Sequence, residues 1–311
     1  MKTDKYLAAM DVGGTKIICV LFDCRGNILE TVKDAGITPV DAPLERCLER
    51  FRSVIGRLES RLNGRHLSAL YCSVATCEHY YDAMYGAIRG ASSADTVRIE
   101  PDGMALISGM LGHSDGAALI CGTGSSLYLR FGEEISRVGG WGHYIDSCGS
   151  GYVLGVRAMK AVLRSHDGRD GPTLLTDIMN AKCGKPLWED YDRIYALGRP
   201  YVASYASCVF EARRAGDKAA CAIFDELSSD LSELVCTAYR RVGRSFSVVF
   251  NGGIFTHFPE YAEEVKRKCP DCVNVIFGDS APVYGCAVEA MHTAGLPADE
   301  TFKNNFLSGL D

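Results

Sequence analysis

The sequence predicts a two-domain α/β protein with related halves, and three observations carry that prediction. The run Leu7–Phe22 breaks at Gly13-Gly14-Thr15-Lys16, and the run Ala117–Arg130 breaks at Gly122-Thr123-Gly124-Ser125. Around each break the same plan repeats: short strands first, then helix alternating with strand. At 311 residues the chain is also long enough for two sizeable cores. Glycine permits positive φ and close approach of a ligand, so turns of this kind can aim several backbone N–H groups at a phosphate. Two of them imply half-domains gripping one polyphosphate from opposite sides, in a nucleotide-using enzyme.

The elements follow in order. Leu7–Val12, Ile17–Asp23 and Ile28–Val32 read as strands, the second turn being Arg25-Gly26-Asn27. A helix follows, with Asp41 as its expected N-cap and Pro43 in its first turn. Leu44, Cys47, Leu48, Phe51, Val54, Ile55, Leu58 and Leu62 keep a 3.6-residue period up to Asn63-Gly64. Ala69–Ala75 reads as a strand, Tyr81–Arg89 as a helix and Thr96–Glu100 as a strand, with a short helix behind Pro101-Asp102. The second half repeats this: strands at Ala117–Cys121, Ser126–Phe131 and Ile135–Val138, a glycine-rich connector at 139–151, and a helix from near Tyr152. Gly168–Arg244 is helical in character. Ser247–Phe250 and Val273–Phe277 are strands, and Phe258–Lys268 and Tyr284–His292 are helices.

Bulk properties exclude several classes. A formal charge of −6 argues against a nucleic-acid partner, since phosphate backbones need a basic face. No stretch approaches the roughly 20 apolar residues of a membrane span. Nothing ahead of Leu7 reads as a leader or a DNA-binding segment, so a cytoplasmic enzyme is expected. Most of the fourteen cysteines fall in apolar runs, where reduced Cys packs as a small core residue. Cys269-Pro-Asp-Cys272 lacks the second pair that a structural zinc site would require.

Candidate chemistry clusters at a few positions. Asp11 closes the first strand beside the first turn. It could hold Mg²⁺ through water, or simply belong to an ordinary strand-to-turn junction. Asp102 could accept a proton from an attacking hydroxyl; on residue type alone, an N-cap for the following helix is the stronger reading. In the connector, Trp141 and His143 could wall a polyol site, with Asp146 and Ser147 bonding hydroxyls; the alternative is a loop that covers the sheet edge. Cys148 has no sequence-level partner as a nucleophile. Asn251-Gly252-Gly253 could seat an adenine ring or be a plain strand-to-helix turn.

The order of these motifs resembles one family. Asp11–Lys16, Cys121–Ser125, Gly139-Gly-Trp-Gly-His143, Gly149–Tyr152, Asn251–Gly253 and Pro282-Val-Tyr-Gly285 are similar to the N-acetylglucosamine kinases and the BadF/BadG/BcrA/BcrD-type ATPases. These belong to the actin, hexokinase and Hsp70-like superfamily, and the resemblance covers nearly the whole chain. It implies two ribonuclease H-like domains with a nucleotide cleft between them. Residues 1–110 would form the first, with a helix at about 286–311 packing back onto it; 111–285 would form the second, carrying the helical segment 168–244.

The resemblance also implies roles. Gly13, Gly14, Thr15 and Lys16 would form the first phosphate loop, and Gly122, Thr123, Gly124 and Ser125 the second. Gly252 and Gly253 would lie beside the adenosine. Asp102 would be the catalytic base and Asp11 the Mg²⁺ position. Trp141 and Gly142, with His143, Asp146 and Ser147, would form the sugar site. Two departures stand out. Ser147-Cys148 replaces the family's acidic pair, a loss worth about 1.5–3 kcal/mol where a charged hydrogen bond is removed. Ser73-Val-Ala-Thr76 replaces a glycine-rich strand end. The expected activity is ATP- and Mg²⁺-dependent phosphorylation of N-acetylglucosamine or a related amino sugar, in a family whose members are commonly homodimers, although no interface can be read from the sequence. Two alternatives are an ATPase that activates a partner enzyme through an iron–sulfur cluster, and a non-catalytic sugar or nucleotide sensor.

Overall fold

The computed structural model describes residues 5–278 and 281–310. The sequence expectations for residues 1–4 and for Asp311 lie outside them. The chain divides into two compact units. The first takes the residues up to Gly116, Arg130–Gly132 and those from Gly278 onward; the second takes Ala117–Leu129 and Glu133–Phe277.

In the first unit, β1 (Tyr6–Val12), β2 (Lys16–Asp23) and β3 (Ile28–Ala35) precede α1 (Leu44–Glu59), β4 (Leu67–Val74), α2 (Tyr81–Ala91), β5 (Thr96–Glu100) and α3 (Asp102–Leu111). The strand order is β3-β2-β1-β4-β5. β1–β2 and β2–β3 pair antiparallel; β1–β4 and β4–β5 pair parallel. Strand side chains alternate between faces, and β1 shows it. Ala8, Met10 and Val12 pack with Phe51, Val54 and Ile55 of α1 and with Met84 and Ile88 of α2. Leu7 and Ala9 point the other way, into a cluster that includes Tyr71 and Ala105.

Asp41 does not cap α1. The cap is Pro43, two residues later, and Asp41 instead accepts a 2.9 Å hydrogen bond from Thr38 Oγ1. The Thr38–Ala42 turn thus uses the carboxylate that the helix was expected to use.

The second unit runs β6 (Gly116–Cys121), β7 (Ser125–Phe131), β8 (Glu134–Val138), α4 (Gly151–His166), α5 (Leu175–Cys183), α6 (Tyr191–Ser204), α7 (Ala206–Arg214), α8 (Lys218–Val242), β9 (Ser247–Asn251), α9 (Gly253–His257), α10 (Pro259–Arg267) and β10 (Asn274–Phe277). Its strand order, β10-β9-β6-β7-β8, repeats that of the first sheet when read from the other edge. α8 begins at Asp217, whose carboxylate accepts from Ala220 N at 2.8 Å, and ends at Gly243 in the left-handed conformation. Phe210, Phe224 and Tyr261 pack edge to face between α7, α8 and α10.

The chain then returns to the first unit as two helices rather than one, α11 (Pro282–Thr293) and α12 (Glu300–Ser308). Gly295 at φ 67° and Pro297 break the run, and Asp299 restarts it by accepting from Phe302 N at 2.9 Å. Phe302 and Phe306 of α12 meet Phe22 edge-on at 5.8 and 5.2 Å. Such pairs add about 0.5–1.5 kcal/mol each beyond burial. Among the described residues no helix is long and apolar enough to cross a membrane.

Candidate active site

The first glycine turn joins β1 to β2. Gly13 N–H donates to Lys16 O at 3.0 Å, and the segment after β3 backs the turn: Gly36 N–H donates to Thr15 O and Ile37 N–H to Gly13 O. A Cβ on Gly36 would lie 2.4 Å from Gly14 C, Thr15 C and Lys16 N. Any other residue there would displace the turn. Gly36 was not singled out from the sequence, because its role depends on a strand that passes beneath the turn only in the fold.

Asp11 sits at the end of β1, buried, in register with the wholly buried Ser73 of β4. Burial pushes its pKa up to about 7, and the charge of Asp102 adds to that rise; Lys16 and Ser73 pull the other way. Asp102 is therefore close enough to Asp11 to matter electrostatically. Pro101 is the N-cap of α3 and Asp102 opens the helix, so the cap reading of Asp102 does not hold. Glu100, two positions before Asp102 and at the end of β5, is compensated: Tyr71 Oη donates to it at 2.6 Å and Arg98 pairs with it at 2.5 Å. Thr76, at the altered strand end, adopts φ 64°, a left-handed backbone normally left to glycine.

Elsewhere in this unit lies a buried charge cluster. Glu289 accepts hydrogen bonds from Ser108 Oγ and Arg130 Nη1, and His113 Nδ1 lies 3.1 Å from both its oxygens. His113 stacks on His292 at 3.4 Å. Among the described residues these two histidines and Glu289 are the group whose ligand atoms could share a metal ion. The guanidinium already neutralises Glu289, which favours a structural role.

In the second unit the glycine turn links β6 to β7 and is pinned to the start of α4. Gly151 N–H donates to Gly122 O at 2.9 Å and Tyr152 N–H to Thr123 O at 3.0 Å, while Ser125 Oγ donates to Cys148 O at 2.5 Å. Ser150 caps α4, accepting from Val153 N, and Ser147 Oγ donates to Ser150 Oγ at 2.9 Å. Ser147 is buried against the turn, with its hydroxyl 3.7 Å from where a Gly124 Cβ would sit.

Gly252 follows β9 at φ 114°, and a Cβ there would lie 2.4 Å from Cys121 O. The Asn251-Gly252-Gly253 turn therefore lies directly against the glycine turn. Gly122, Thr123, Gly151 and Gly253 line one open cavity of about 360 Å³, together with Ile254, Pro200 and Phe258. Lys182 also lines it, its Nζ donating to Ser204 O and Ser207 Oγ.

The connector splits into a buried base and an exposed arm. Asp146 N–H donates to Gly142 O at 2.8 Å, closing a small loop that leaves Trp141, Tyr144 and Ile145 exposed. The Arg137 guanidinium covers the Trp141 ring at 4.2 Å, and His143 leans on Tyr144 and Tyr152. Cys148 Sγ donates to Asp146 Oδ1 at 3.0 Å. Burial and that carboxylate push the thiol up to about 12, so it is a poor nucleophile. At the loop's foot, Tyr261 Oη donates to Gly149 O at 3.0 Å.

The structure thus brings Asp11 and Asp102 together beside the first turn. It gathers Gly122–Ser125, Ser147, Gly252 and Gly253 around the second. Trp141, Gly142 and His143 stand on the arm, apart from the buried Ser147.

Comparison with known proteins agrees with this architecture. The chain is 29% identical over 245 residues to an N-acetylmuramic acid/N-acetylglucosamine kinase of Clostridium acetobutylicum, spanning 73% of this chain and 77% of the relative. It is 30% identical over 161 residues to the N-acetyl-D-glucosamine kinase of Dictyostelium discoideum, 48% of this chain and 50% of that one. A crystal structure of a candidate N-acetylglucosamine kinase from Chromobacterium violaceum shares the fold at TM-score 0.70 with 18% identity, covering 91% and 98% of the two chains. The pattern of one family matches residues 10–290, and the chain belongs to the BadF/BadG/BcrA/BcrD ATPase family.

Proposed function

We propose that this protein is an ATP-dependent kinase that places phosphate on a hydroxyl of N-acetylglucosamine or a closely related amino sugar, with Mg²⁺ as its metal. The observation that carries the reading is the Asp11–Asp102 pair. Asp11 is buried at the end of β1 beside a glycine turn, and the half-buried Asp102, which opens α3, is close enough for its charge to raise the Asp11 pKa. Family membership and the two kinase relatives support it.

The residues divide the work. In the second unit, the cavity bordered by Gly122, Thr123 and Gly253 suits a nucleotide, with N–H donors at the glycine turn for its phosphates. In the first unit, Gly13–Lys16 offers further donors and the Lys16 charge. Asp102 accepts the proton of the attacking hydroxyl; phosphoryl transfer asks little more of a protein than positioning, charge neutralisation and such a base. Mg²⁺ fits Asp11 by chemistry: its carboxylate oxygens are of the right type, and a cation beside it would offset the burial and the Asp102 charge that raise its pKa. When bound, the ion would neutralise phosphate charge. Ser147, Asp146 and Trp141 belong to the sugar side of the reading.

The test is ADP release by purified protein with Mg·ATP against N-acetylglucosamine, N-acetylmuramic acid, glucosamine, glucose and no sugar. Stimulation by an N-acetyl amino sugar is expected. Turnover that ignores the sugar, or none, would refute the assignment.

A further inference from the structure

The second unit carries a cation that the function above does not use. Arg199 lies in α6, whose two helical halves meet at Gly198, with φ 62° and ψ −147°. That conformation is essentially reserved for glycine. Two contacts fix the half that follows the kink. Pro200, Ala203 and Ser204 wall the cavity beside Gly122 and Thr123. Where α4 crosses, a Cβ on Gly155 would lie 2.0 Å from Val202 O, so the two helices meet backbone to backbone. The kink therefore delivers the Arg199 guanidinium to the second glycine turn: Nη1 lies 3.9 Å from the Cβ position of Gly124, with Ser147 Oγ 3.7 Å from the same point.

A guanidinium beside a glycine turn makes an oxyanion site, because the planar fork of arginine matches phosphate and carboxylate oxygens. The serine at 147 completes the logic. An acidic side chain there would compete for the guanidinium, whereas the Ser147 hydroxyl, which donates to Ser150 Oγ, leaves the site without a negative charge. We propose that Arg199 is an anion-binding residue of the reaction. It takes an oxyanion at Gly124 that is either a phosphoryl oxygen of the nucleotide or a carboxylate borne by the sugar. The inference rests on the kinase reading of that turn.

The test compares the intact protein with Arg199→Gln and Arg199→Lys. Calorimetry would give affinities for ADP and adenosine; kinetics would give KM for N-acetylglucosamine and for N-acetylmuramic acid, which carries a carboxylate. A phosphoryl partner predicts ADP binding about tenfold or more weaker in Arg199→Gln, adenosine unchanged, and partial recovery in Arg199→Lys. A carboxylate partner predicts unchanged ADP binding and a comparable rise in KM for N-acetylmuramic acid alone. Gly198→Ala, which re-aims the side chain without removing its charge, should reproduce whichever defect appears, and it carries the test if Arg199→Gln fails to fold. Wild-type values for all ligands in a folded Arg199→Gln protein would overturn the inference alone. Failure of the unmodified protein to bind ADP would overturn the kinase reading and the inference with it.

Discussion

Asp11 and Asp102 are held in one electrostatic neighbourhood, and the consequences can be worked out charge by charge. An unfolded Asp11 titrates near 3.8 and the folded one near 7. The folded state therefore binds that proton more tightly. The stability involved is fully present below pH 3.8, declines as the pH rises to about 7, and stays lost above it. Asp11→Asn has no such charge to bury. Its melting temperature should exceed that of the parent by several degrees at pH 8, with the gain shrinking towards pH 5. At about 1.4 kcal/mol per pH unit the gain is bounded at about 4 kcal/mol. An equal gain at both pH values would rule out the electrostatic origin. The same variant should lose turnover, the familiar exchange of stability for function at a site. Asp102→Asn tests the proposed base: kcat should fall by about 10²–10⁴, with ADP affinity unchanged by calorimetry.

At the level of elements, turns govern what each strand end can do. Gly252 combines a positive φ with a Cβ position 2.4 Å from Cys121 O, so Gly252→Ala must either strain the turn or push β9 from β6. It should lose about 1–3 kcal/mol of stability and weaken ADP binding, read by denaturant unfolding and calorimetry. Thr76 is the opposite case, a β-branched residue at φ 64°. Thr76→Gly should relieve about 1–2 kcal/mol of left-handed strain while giving back part of that to chain entropy; a lower melting temperature would refute the strain. These two positions also show what a sequence can reveal. Strands around glycine turns were legible because their period is two and glycine punctuates them. The break between α11 and α12 was written as Gly295, Pro297 and Asp299, yet the surrounding helical character masked it. Asp41 read as a cap because residue type does not say whether a preceding turn will claim the carboxylate. Arg199 and Gly36 were illegible for another reason: their importance comes only from segments distant in sequence that pack against them.

At the scale of the whole molecule, the repeat is one of topology more than of chemistry. Both sheets carry the same strand order, but the first unit sets carboxylates at its glycine turn and the second sets hydroxyls and a cavity. Such a plan places the N-terminal and C-terminal segments of the chain in one unit, so something must hold the returning helix. Glu289 does so: α11 buries it completely against Ser108 of α3, His113 beyond that helix, and Arg130 at the end of β7. Burial alone would raise its pKa, but Ser108, Arg130 and His113 outweigh it and hold the carboxyl below the usual range. The stabilisation is therefore present at neutral pH and is lost as the pH falls below ordinary glutamate values. Glu289→Gln leaves the Arg130 charge buried without its partner, which should cost about 3–5 kcal/mol at pH 7. The penalty should shrink in acid, where the parent loses the same charge. Pairing it with Arg130→Met should recover most of the loss, since an apolar replacement of both partners is often neutral. Urea unfolding of the two single variants and the double, at pH 7 and pH 4, would measure the coupling. Additive losses would show that the three chain segments are held by packing and not by this ion pair.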